Sequence, residues 1–298
     1  MNRTLSGTLF SLASAAGYAS LALWVKWSYH EGLEALDILT WRYIFGSILV
    51  WSLWPLIRDS AALNTLNRRQ VLTLIGLGAL FVWISLMAVM ALNRIPATTY
   101  TLILYTYPAL VAIFSFFLGE RLPLGAWFSV GLALVGCALT AGGQLDVNKP
   151  MDIFFPFANA AFYAVYLIIA GRYTRKIPGT ASGIISLTSS AFVLLPLITV
   201  RGLQTPNSLN GWVVLVCLAT ISTVLPILTM FAGIARIGAS NAAIVSTIEP
   251  LITITLAALI LREKASTMQY LGGVLILISV VLLQVIMRKQ TTSQSAGA

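Results

Sequence analysis

The chain has 298 residues, 58% of them hydrophobic and only 9% charged, and its mean hydropathy is +0.90. That balance excludes a soluble globular domain and predicts an all-α integral membrane protein. The formal net charge of +9 comes from Lys and Arg scattered along the chain, with no basic patch interleaved with aromatics. That pattern excludes nucleic acid as a partner and points to the bilayer and its anionic headgroups.

A spanning helix needs about 20 mostly apolar residues. Punctuation by charge, Pro and Gly predicts ten such spans, near 6–26, 36–57, 71–92, 97–118, 123–142, 152–171, 181–200, 210–234, 239–261 and 267–287. The first resembles a signal peptide in having Arg3 before an apolar run, but that run continues to Val25, longer than a typical signal core. The sequon Asn2-Arg3-Thr4 is too close to the terminus to carry weight. No connection is long enough for a soluble domain, and residues 291–298 are expected to form an unstructured tail.

Setting aside Arg42, which is inside span two, the side that carries both termini holds Arg3, Arg58, Arg68, Arg69, Arg121, Arg172, Arg175, Lys176, Arg236, Arg288 and Lys289. The opposite side holds Lys26, Arg94, Lys149, Arg201, Arg262 and Lys264. The excess of positive residues predicts that both termini are cytoplasmic. Short loops, with no retention or transit signal, predict a bacterial cytoplasmic (inner) membrane. Trp24, Trp27, Trp51, Trp54, Trp127 and Trp212 fall near span ends and read as interfacial belts.

An internal repeat divides the chain into 1–146 and 147–290. When the segment from Asn93 is laid over that from Ala235, Arg94 meets Arg236, Ile95 meets Ile237, Ala97 meets Ala239 and Pro108 meets Pro250; one inserted residue later Glu120 meets Glu263. Five spans per half is an odd number, so the second half must enter the bilayer in the opposite direction. Such inverted repeats, with helices interrupted at equivalent places near the midplane, mark secondary transporters. Pro108 and Pro250 are the expected interruptions. Each lacks the donor for the carbonyl four residues back, which leaves Leu104 and Ser246 with freed carbonyls that must face protein or water.

Glu249 precedes Pro250 and is thirteen residues from both Arg236 and Arg262, about 20 Å along a helix. A charged carboxylate at such depth costs roughly 2.5 to 3.5 kcal/mol, so it must be paired, wet or protonated. The other acidic residues, Glu31, Glu34, Asp37, Asp59, Glu120, Asp146, Asp152 and Glu263, fall in loops or at helix ends. Arg42 is the deep cation, with Lys26 toward the same side. An Arg42–Glu249 ion pair is therefore the structural alternative to a role in binding or proton coupling.

Helical spacing gathers further polar groups. Asn159, Tyr163 and Tyr166 share one face of span six, Ser11, Ser14 and Tyr18 one face of span one, and Tyr100 and Tyr107, with Thr101 and Tyr105 alongside, belong to span four; Trp83 is the candidate from span three. Together they predict a cavity suited to a flat or amphipathic organic molecule. His30 is a loop residue, and no Cys or His cluster has the spacing of a metal site. Gly76 to Gly78 sits inside an apolar span, and no phosphate-cradling GK[ST] loop is present. No cofactor, metal or enzymatic chemistry is expected. Cys137 and Cys217 read as small apolar side chains. Gly131 with Gly136 and Gly272 with Gly273 offer close helix contact, and either a monomer or a homodimer is compatible with the sequence.

"GASNAAIVSTIEPLITITLAALILREKASTMQYLGGVLIL", the earlier "TYPALVAIFSFFLGERLPLGAWFSVGLALVG", the "WVK" that ends span one and the "WRY" that opens span two resemble the EamA branch of the drug/metabolite transporter superfamily. The resemblance covers nearly the whole chain and departs from the family's repeat symmetry where Tyr107 stands opposite Glu249. It implies ten helices in a 5+5 inverted repeat around a central cavity. It also implies export or exchange of a small metabolite such as an amino acid or similar amphiphile. Glu249 itself makes protons a candidate coupling ion, with facilitated diffusion as the alternative energy source. A channel or a sensory membrane module is the competing expectation.

Overall fold

The computed structural model describes residues 3–54, 66–119, 122–142, 149–173, 177 and 179–296. Arg58, Asp59, Glu120, Arg121, Asp146, Arg175 and Lys176 lie outside the described residues, and with them the match of Glu120 to Glu263. Span one is α1 (Arg3–Ala19) and α2 (Leu21–His30), span two is α3 (Ala35–Leu53) and span three α4 (Arg68–Arg94). Span four is α5 (Ala97–Leu104) and α6 (Tyr107–Phe117), and span five is α7 (Leu124–Gly142). In the second half, α8 (Pro150–Tyr173) and α9 (Gly179–Arg201) form spans six and seven. Span eight is α10 (Leu209–Ala219), a π turn (Thr220–Val224) and α11 (Leu225–Ile237). Span nine is α12 (Ala239–Ser246) and α13 (Glu249–Leu259), and span ten is α14 (Thr267–Ala296), which runs through most of the expected unstructured tail. Among the described residues, nine helical stretches are long and apolar enough to cross a bilayer, and the shorter apolar helix Leu124–Thr140 stands in the place of the fifth span.

The ends follow from local chemistry. Asn67 accepts from the Gln70 amide at 2.9 Å while the Gln70 side chain accepts from the Asn67 amide at 2.9 Å, a reciprocal cap that starts α4. Glu34 and Asp37 cap α3 in the same way. Gly238, at φ +80°, turns the chain from α11 into α12 in a conformation that side chains with a Cβ rarely adopt.

Span five packs against span ten, one against eight, three against six and seven, two against seven and eight, one against nine, and four against six and nine. Each pairing has its counterpart when every span is exchanged for the one five positions away. Small residues set the closest approaches. A Cβ on Gly17 would lie 2.5 Å from Pro226 Cγ and 2.6 Å from the Ile221 carbonyl oxygen, and one on Gly136 would lie 2.7 Å from the Gly272 carbonyl oxygen. Gly136, Gly272 and Gly273 are thus used inside the chain, while Gly131 faces open space. The main core joins Val25, Ile38, Leu39, Val89, Leu92 and Leu215. Outward, Phe117, Leu124, Phe128 and Leu259 are exposed, as a lipid-facing surface requires.

Candidate functional site

Spans four and nine break at the same place, and in each the first piece has eight residues and the second eleven. The cause is local. Pro108 and Pro250 each stand in the first turn of the second piece, where the missing N–H costs nothing. Thr106 Oγ1 folds back on the Ile103 carbonyl at 2.7 Å and Thr247 Oγ1 on the Ile244 carbonyl at 2.7 Å, closing the last turn of each first piece. Among the described residues no hydrogen bond reaches the carbonyls of Leu104 or Ser246. Backbone dipoles therefore end at mid-chain depth in both spans.

Glu249 is the first residue of α13, where its charge meets the positive end of a helix. Its side chain is half-buried, and Tyr105 is its side-chain neighbour. Tyr18, Tyr100, Tyr107 and Tyr163 all lie within its electrostatic reach. The rings form a continuous chain: Tyr105 to Tyr107 at 5.9 Å between centroids, Tyr107 to Tyr163 at 4.9 Å edge-on, Tyr163 to Tyr166 at 6.1 Å stacked, and Tyr166 to Phe81 at 5.5 Å. Behind them Tyr100 donates to Asn159 Oδ1 at 3.1 Å, and Asn159 Nδ2 donates to the Ile84 carbonyl at 2.6 Å, tying spans three, four and six together.

Arg42 does not pair with Glu249. Its Nε donates to Thr223 Oγ1 at 2.8 Å and its Cζ lies 5.4 Å from the Tyr43 ring centre. Among the described residues it makes no ion pair. Tyr18 and Tyr100 are within reach of both charges. Thr223 belongs to the π turn, an extra-residue bulge of the sort that recurs at functional sites. Opposite that turn span one also breaks, and Ser20 Oγ meets Ser222 Oγ at 2.7 Å. The π turn is followed by Pro226 in the first turn of α11, whereas the break at Ser20 carries no proline.

Three expected site residues are placed elsewhere. Lys26 belongs to one end of the bundle: its Nζ donates to the Ile95 carbonyl at 3.1 Å and pairs with Glu263 at 3.7 Å. The same Glu263 accepts from the amides of Ala97 (2.8 Å) and Thr98 (3.0 Å) and from the Thr98 hydroxyl (3.0 Å), capping α5. The acceptors at that end outcompete a distant carboxylate for the ammonium. Trp83 is 59% exposed and shares the outward face of α4 with Leu72 and Gly76, so it meets lipid. Ser246 spends its hydroxyl on the Ala242 carbonyl of its own helix at 3.0 Å. Of the serines expected beside Tyr18, Ser14 bonds the Pro226 carbonyl across to span eight at 2.8 Å and Ser11 the Gly7 carbonyl at 3.1 Å, so both serve packing.

The sequence pattern of the EamA-like transporter family matches residues 5–142 and 150–285, one copy per half. The chain is 26% identical over 278 residues to the uncharacterized transporter YcbK of Bacillus subtilis (strain 168), covering 90% of this chain and 89% of that one. It is 28% identical over 230 residues to the uncharacterized transporter sll1319 of Synechocystis sp. (strain ATCC 27184 / PCC 6803 / Kazusa), covering 73% and 68%. A protein of known crystal structure has the same fold, with a TM-score of 0.65 over 96% of this chain and 98% of its own at 20% identity. Two family copies that divide the helices where the sequence repeat divides them, in a chain built to cross a membrane many times, make this protein a member of the EamA-like transporter family, within the drug/metabolite transporter superfamily.

Proposed function

We propose that the protein is a secondary transporter that moves a small amphipathic organic metabolite, an amino acid or a similar solute, across the membrane by alternating access. The carrying observation is the matched break of spans four and nine with Glu249 at the start of α13. Freed carbonyls and unpaired first-turn amides at mid-membrane depth are the means by which interrupted helices hold a solute or an ion. Tyr107, Tyr163, Tyr166 and Glu249 each keep part of their surface open although they crowd one another, which supports a cavity lined by rings and one carboxylate.

The two halves are read as inverted repeats that rock against each other about this site. Five spans per half and the exchange-symmetric packing support that reading. Lys26, Arg94 and Arg201 engage Glu263, Asp152 and Glu34, and these residues belong to the less basic side, which we assign to the exterior. Both termini are then cytoplasmic, the membrane is a bacterial inner membrane, and the direction is export with protons as the candidate counter-ion. No assignment of monomer or homodimer is needed for the site to be complete. The competing reading is a channel or sensory module in which Glu249 is a structural ion-pair partner; Arg42, the deep cation, bonds Thr223 instead.

Counterflow in proteoliposomes preloaded with amino acids, nucleosides and organic cations tests the proposal, with mass spectrometry naming whatever exchanges. Saturable exchange of one class is the expected result. Flux that neither saturates nor shows counterflow would mean a channel, and no flux from a folded preparation would mean a sensor.

A further inference from the structure

Arg42 is 4% exposed, in the middle of span two. A guanidinium cannot shed its charge, and it carries five N–H donors in a fixed fork. Only Nε is used, by Thr223 Oγ1, which itself donates to the Leu218 carbonyl at 3.0 Å and is thereby fixed. Among the described residues, neither Nη nitrogen has a hydrogen bond or an ion pair. The Tyr43 face contributes a cation–π contact but accepts none of these donors in the plane of the fork.

Nor are the Nη atoms sealed in. The fully enclosed side-chain N and O atoms that lack a partner are, among the described residues, Ser47 Oγ and Gln284 Oε1. The little surface Arg42 retains must therefore include its two Nη tips. A buried, permanently charged fork with two open, parallel donors is complementary to a planar anion with two oxygens. Glu249 does not fill that place, although Tyr18 and Tyr100 neighbour both charges.

We infer that the Arg42 fork is the subsite for a substrate carboxylate, so that the transported solute carries one, held apart from whatever group faces Glu249. The inference rests on the carrier reading above and narrows its substrate class. The π turn supplies the positioning: Thr223 within it holds Nε, which leaves the parallel Nη1 and Nη2 donors to a planar anion.

The test is counterflow with a pool in which each proteinogenic amino acid is accompanied by its α-carboxamide, together with nucleosides and quaternary ammonium ions. Free acids should exchange about tenfold or more faster than their matched amides, the scale of losing a charge-assisted hydrogen-bond pair. Arg42→Gln should erase that preference, and Arg42→Lys should keep part of it, since charge remains and the fork does not. The wild-type ratio decides the matter even if Arg42→Gln fails to fold. Amides exchanging as fast as acids, exchange confined to nucleosides or cations, or a folded Arg42→Gln with undiminished preference for acids would each overturn the inference and leave the carrier reading standing. Exchange of nothing would remove both.

Discussion

Glu263 is the residue with the most partners at one end of the bundle. Its carboxylate accepts from two backbone amides and a hydroxyl at the start of α5 and faces Lys26. Glu263→Ala should cost about 2 kcal/mol, the scale of a charged cap. Lys26→Ala should cost about 1 kcal/mol or less, because its ion pair is partly exposed. Thermal unfolding in detergent measures both, and the reverse order would show that the ion pair rather than the cap holds this corner. These partners were not legible in the sequence, since residues 26, 97 and 263 meet only through tertiary packing. Glu249 was legible, because isolation of a carboxylate in an apolar run is a sequence property. The tyrosines were legible as a group because helical spacing assigns them to shared faces. Trp83 was misplaced because a nearly all-apolar helix has no polar face from which to orient it.

At the scale of elements, glycine contacts fix how closely spans approach. Gly136→Leu sets a branched chain against the Gly272 backbone and should destabilise the span five to span ten contact by about 1–3 kcal/mol or more. Gly131→Ala, which meets open space, should be neutral or stabilising by up to about 1 kcal/mol. Melting of the two variants side by side checks the contrast; equal losses would mean the contact is not rigid. Pro108 and Pro250 each open the second piece of a divided span, whereas Pro156 and Pro196 lie inside unbroken helices, so a proline marks a candidate break and packing decides whether the helix divides. The π turn at Thr220–Val224 has a local mark in Pro226, in the first turn after it; the break at Ser20 has none, and its bond to Ser222, like that of Arg42 to Thr223, joins one span to another and is not legible in either. The same reason hid the partner of Arg42 and made an ion pair with Glu249 the natural expectation.

For the whole molecule, the main contacts between spans repeat when the halves are exchanged, and the Lys and Arg distribution predicts a side for each terminus and loop. In a background with Cys137 and Cys217 changed to Ala, a cysteine at Gln204 should react with an impermeant thiol reagent in intact cells. One at Thr4 should react only after permeabilisation. Reaction of both from outside would contradict the topology drawn from the Lys and Arg distribution. The apolar spans, the two halves and the matched interruptions follow from hydropathy, charge and the repeat. Which span packs on which does not, since the spans present similar apolar faces.

Transport is proposed to turn on the carboxylate at the break of span nine. The most direct measurement compares wild type, Glu249→Asp and Glu249→Gln in proteoliposomes, following accumulation of the exchanging solute with and without an imposed pH gradient. Glu249→Gln should fold and reach the membrane yet lose gradient-driven accumulation, while Glu249→Asp keeps a reduced response. A folded Glu249→Gln that accumulates solute with the wild-type gradient dependence would rule out this role for Glu249.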